Sequence, residues 1–229
     1  MTSSQLFRIS GSALVGGAVA FIVHIVARSV MTAGPDLTTA AREGLWVPIN
    51  TLGVIGAALV LLGLPAMFAR MAGLTGFPGL IGVVLIALAW MFFGVFLSLY
   101  SVLVVPWLAE KAPSLASAAV PLPVGIIIAF IIGLLAEFAG SVLLAIPFVR
   151  GRVQPRWVGP LLPAAALLRV VGNFIAPSGP ATSLTINLLS NLGPILLLTA
   201  LGYLGSRMWL EHAAAGQAGE ALERVAGSP

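Results

Sequence analysis

The chain has 229 residues, 59% of them hydrophobic and 8% charged, with a formal net charge of +4. Soluble domains carry about 25% charged residues, so water is excluded as the solvent for this surface. The cations stand singly at the ends of apolar runs, which excludes a nucleic-acid patch, and the absence of cysteine excludes disulfides, thiolate metal sites and thiol nucleophiles.

About 20 apolar residues span a bilayer, and in lipid the backbone must satisfy its own hydrogen bonds. The apolar runs therefore predict six helices, at about 9–30, 46–70, 79–105, 121–149, 157–176 and 183–209. The fold class is all-α, a polytopic transmembrane bundle over residues 1–210 followed by a polar, loosely ordered tail over 211–229.

In the first helix, Arg8 before an apolar run resembles a signal peptide. The run is too long for one, and Arg28 falls where cleavage would occur, so a retained helix is expected. His24 lies four residues before Arg28 on the same face; it is a side chain that titrates near neutrality without a large perturbation. The stretch from Pro35 to Gly44 reads as a short surface helix, with Asp36 near its start and glycine after its end.

Asn50 sits just inside the second helix, on a face with Gly53 and Ala57. Met71–Pro78 is a Gly/Pro/Thr turn into the third helix, where Ser98 and Ser101 share a face with Gly94. Residues 106–120 are long enough for a further surface element, a lid or a plain connector. Pro121 and Pro123 start the fourth helix, where a missing donor costs little. Pro65, Pro147 and Pro194 fall inside apolar runs and should bend them.

Glu137 and Arg169 are the two charges deep inside spans. Each lies twelve residues from a predicted cytoplasmic boundary, Val149 or Trp157, about 18 Å along a helix and near mid-bilayer. Glu137 shares a face with Gly133, Gly140 and Ser141; Arg169 shares one with Ala165, Ala166, Gly172, Asn173 and Ala176. Small residues let helices approach closely, so both stripes should face the bundle. A charge at a helix centre costs about 2.5–3.5 kcal/mol on insertion scales, so the two should pair. The pair is either functional or a structural tie, and the sequence weighs these evenly.

In the sixth helix Ser183, Asn187, Ser190 and Asn191 form a stripe above Gly193-Pro194. Together with His24, Asn50 and Asn173, they would line a polar pocket opening outward, floored by Glu137 and Arg169. Taken singly, such residues are more often packing glue between helices. The similar endings at 62–70, 143–150 and 201–207 suggest duplicated hairpins, but shared membrane-exit chemistry accounts for them.

Positive residues set orientation. With the N-terminus inside, Arg8, Arg70, Arg150, Arg152, Arg156, Arg207 and Arg224 are cytoplasmic, against Arg28, Arg42 and Lys111 outside. Both termini are therefore expected in the cytoplasm. Trp46, Trp107, Trp157 and Trp209 sit near helix ends, as interfacial anchors should.

Catalytic signatures are missing. No Walker loop, dinucleotide fingerprint, His-Glu-x-x-His or Gly-x-Ser-x-Gly is present, and an intramembrane enzyme would need a second reactive group beside Glu137. His24 and His212 lie towards opposite faces, so no haem is expected, and no carboxylate near His24 would complete a zinc site. No cofactor is expected.

Leu45-Trp46-Val47-Pro48-Ile49-Asn50, followed by Leu61-Leu62-Gly63-Leu64-Pro65, resembles small multi-pass bacterial membrane proteins of unknown function. That resemblance covers mainly the first three helices and implies a six-helix integral protein of the bacterial cytoplasmic membrane, with no activity and no site residue. The expected function is binding or transport of a small solute or ion. The alternative is an accessory subunit with a membrane-protein partner or a second copy of the chain.

Overall fold

In the computed structural model, the described residues are 3–34, 37–116, 123–151, 153, 155–175 and 183–226, with backbone alone at 3–4, 116, 174–175 and 212–226. Pro35, Asp36, Pro121, Arg152 and Ala176, named above, lie outside them. Among the described residues 90% are helical and none is in a strand.

The elements are α1 (Ser3–Met31), α2 (Leu37–Ala41), α3 (Trp46–Trp90), a π-helix (Met91–Phe96), α4 (Leu97–Leu103), α5 (Val105–Lys111) and α6 (Pro113–Ala116). They continue with α7 (Val124–Val149), α8 (Val158–Ile175), α9 (Leu184–Ser190) and α10 (Leu192–Ala226). Among the described residues three helices are long and apolar enough to cross a membrane: Gln5–Met31, Trp46–Lys111 and Val124–Val149. Leu184–Ser190 and Leu192–Glu211, bent by 50°, make a fourth if the pair is one span.

The turn expected over Met71–Pro78 shrinks to one residue. The helix persists to Thr75, whose Oγ1 donates to Met71 O at 3.0 Å. Gly76 then takes φ 60°, ψ −156°, open only to glycine, and the chain doubles back. The arms on either side of Gly76 lie antiparallel: a Cβ on Gly94 would meet Ala57, and Trp46 Nε1 donates to Ser101 O at 2.7 Å.

Helices meet through small residues. A Cβ on Gly17 would lie 2.7 Å from Gly56 O, joining α1 to α3. One on Gly82 would lie 2.9 Å from Gly140 O, joining the second arm of α3 to α7. Such approach brings backbones into van der Waals contact, which drives association where lipid removes the hydrophobic term. Around these contacts pack Leu14, Leu64, Trp90, Leu144, Phe148, Leu162, Leu197 and Leu201, all buried. The opposite face of α7, with Ile128, Ile131, Ile132 and Leu135 exposed, is left for acyl chains.

Trp46 departs from the expected interfacial role. It is wholly buried under α2 and α5, in a cluster with Ala40, Ala41, Val105 and Ala109, and Arg42 Nη2 closes this cap with a 2.6 Å bond to Ala109 O. Trp107, Trp157 and Trp209 stay exposed. Trp46→Phe should lower stability by about 1 kcal/mol through loss of the bond to Ser101, seen as an earlier thermal transition.

The last predicted helix is two. Pro194 cannot donate to Ser190 O four residues back, and the axis breaks at Asn191. Beyond residue 209, α10 continues along the tail to Ala226 rather than ending there. Glu211 accepts from Arg207 at 3.2 Å and pairs with Arg70, tying α10 to α3.

Candidate functional site

The break between α9 and α10 lies against α8. A Cβ on Gly193 would overlap Arg169 N and Ala165 O, and one on Gly172 would overlap Ser190 O. Without side chains at these two positions, the elbow seats directly beside the Arg169 backbone.

Arg169 Nη1 donates to Glu137 Oε1 at 3.0 Å and to Oε2 at 2.8 Å. The pair anticipated from depth and facing is therefore present. Phe93 flanks it, its ring centroid 4.2 Å from Arg169 Cζ. A cation over an aromatic face gains quadrupole attraction, more so when desolvated. Phe93 belongs to the π-helix, and wider turns of this kind recur at functional sites. Phe130 braces Phe93 edge-on at 5.1 Å, and Gly133 leaves room for the Phe93 ring.

The two charged partners differ in access. Glu137 is 1% exposed and Arg169 11%. Arg169 reaches the wall of a cavity of about 330 Å³; Glu137 sits behind it and does not. Beyond Nη1, no hydrogen-bond partner of the guanidinium is found among the described residues. Its remaining N–H groups are thus available towards the cavity.

His24, Asn173, Asn187 and Asn191 also line this cavity, as the sequence suggests. His24 Nδ1 lies 3.0 Å from Ile49 O, which can only accept, so the neutral ring carries its proton on Nδ1 and leaves Nε2 as an acceptor. Gly53 has no side chain because the His24 ring fills that space. Asn187 Nδ2 reaches Ser29 O and Thr32 Oγ1, each at 3.2 Å, holding α9 to α1. Asn173 and Asn191 donate to the carbonyls of Arg169 and Asn187, one turn back.

Three expectations need correction. Asn50 is buried away from the cavity; its Nδ2 donates to Trp46 O at 2.8 Å within its own helix, while its Oδ1 is buried with no hydrogen-bond partner among the described residues. Glu137 is not part of the floor, because the Arg169 side chain lies across it. Ser183 is not in the wall either: it caps α9, accepting from Ile186 N at 3.3 Å.

Arg28 is a cavity residue that sequence reasoning missed, having served there only for orientation, as a sign of a retained first helix and as a neighbour of His24. It lines the cavity with Ser29 and Thr32. Its Cζ lies 5.6 Å over the Trp46 ring, and no carboxylate is within 4 Å of it among the described residues. The i, i+4 spacing of His24, Arg28 and Thr32 was the available signal. Phe21, Phe93, Leu97 and Phe130 complete an apolar wall.

Among the described residues no three of His, Asp and Glu come together as metal ligands. No family model, no curated protein and no solved structure matches the chain.

Proposed function

We propose that the protein is a six-span protein of the bacterial cytoplasmic membrane, both termini inside, whose cavity opens outward and binds or moves a small solute or ion. Six spans follow if the antiparallel arms around Gly76 each cross. Val158–Ile175 would also cross: its 18 residues extend about 27 Å, close to the hydrocarbon thickness. The orientation rests on the cytoplasmic excess of arginine.

The observation that carries the functional reading is convergence. Side chains from α1, the π-helix, α4, α7, α8, α9 and α10 meet around one cavity, and its polar members are otherwise costly in lipid. Arg169, held by Glu137 and Phe93, offers a fixed donor surface. The elbow at Asn191 sits between two anchors, with α9 held to α1 through Asn187 and Gly193 seated against α8.

The chain has no native cysteine, so single cysteines report access cleanly. Asn191→Cys should react with a membrane-impermeant thiol reagent added outside intact cells, while cysteine at the buried Leu144 should not. Reaction of Asn191→Cys only from the cytoplasmic side would defeat the outward-facing pocket. Recovery of the protein solely as a stoichiometric complex, with the cavity sealed, would favour the accessory-subunit reading instead.

A further inference from the structure

Resting on that pocket, we infer that its ligand is an organic anion carrying an apolar body, with Arg28 as the specific anchor. The charge count points there. Arg169 is neutralised by Glu137 at 2.8 Å, whereas Arg28 has no carboxylate within 4 Å among the described residues. Among the described residues the cavity wall therefore holds one guanidinium with no carboxylate beside it, faced only by the Trp46 ring at 5.6 Å.

A half-buried cation without a counter-charge is costly, and a ligand that supplies the missing negative charge recovers that cost. Guanidinium donors suit carboxylate and phosphate oxygens, which accept two parallel N–H bonds. Ser29, Thr32, Ser98 and Asn191 add neutral polar groups on the same wall. A cation would meet repulsion from Arg28, and an uncharged solute would leave it unpaired.

The other half of the wall limits the body of the ligand. Phe21, Phe93, Leu97 and Phe130 present rings and methyl groups, which suit a ring or short alkyl group and give nothing to a fully hydrated inorganic ion. At about 330 Å³ the space lies at the small end of ligand pockets, room for a small acid. The same oxygens are offered by a water-borne carboxylate or phosphate and by an anionic lipid headgroup.

The test is titration calorimetry on the full chain in phosphatidylcholine nanodiscs, with benzoate, benzamide and benzylammonium as probes. Benzoate alone should bind. Arg28→Gln should weaken it by about tenfold or more, the worth of one charge-assisted contact, and Arg28→Lys should recover part of the loss. Phosphatidylglycerol added to the discs should leave benzoate binding unchanged if the natural ligand is water-borne. Competition by that lipid would keep the anion site and name the headgroup as its source. Equal binding of benzamide, tighter binding of benzylammonium, or an Arg28→Gln variant with unchanged benzoate affinity would overturn the inference. If no probe binds while Asn191→Cys is still labelled from outside, the ligand class fails and the pocket stands. If the labelling fails as well, it is the pocket that is wrong.

Discussion

Glu137→Gln is expected to destabilise the folded protein by about 3–5 kcal/mol, because it leaves the Arg169 guanidinium buried against Phe93 with no counter-charge. Arg169→Leu should cost a comparable amount by stranding a carboxylate that is 1% exposed. The double variant Glu137→Leu with Arg169→Leu should be markedly more stable than either single variant, since no unpaired charge remains. Thermal unfolding in detergent reads all three. Solute binding separates the roles: if the double variant folds and binds as the natural protein does, the pair is only a tie between α7 and α8. The proposed function requires that binding fall by about tenfold or more with Arg169 absent.

Gly193→Val should be the most damaging change outside the charged pair. Even the first side-chain carbon would overlap Arg169 N and Ala165 O, which are backbone atoms and cannot rotate aside. Overpacking of this kind costs about 1–3 kcal/mol where flexible side chains give way, and more where the main chain must shift. The elbow would lift from α8, taking Asn191 and Ser190 away from Arg169 and opening one wall of the cavity. A lower unfolding temperature together with labelling of a buried cysteine at Ala165 would report this. Unchanged stability and binding would mean that the elbow does not depend on its contact with α8.

Much of the architecture was legible because transfer from water to lipid is nearly additive along a short window. The long helices, the short connecting ones and the facing of Glu137 and Arg169 all follow from run length, turn residues and helical spacing. The same reasoning misplaced Asn50, since periodicity gives a face and not the neighbour it meets; here the neighbour is the carbonyl of Trp46 on its own helix. It passed over Arg28 because a cation near a span end already has a sufficient explanation in topology. The π-helix at Met91–Phe96 was not read from the sequence: it widens a turn by one residue, at the place where Phe93 packs against Arg169 and Phe130.

By itself the sequence determined that this chain is helical, suited to lipid, and carries an acid and a guanidinium too costly to leave apart. Those are properties of composition and local spacing, where each residue's contribution is felt without reference to distant ones. Only the tertiary structure decided that Arg169 faces a void while Glu137 lies behind it, and that Arg28 joins from a helix more than a hundred residues away in the chain. A cavity is the space that several packed elements fail to fill, so its shape and charge exist only once all of them are in place.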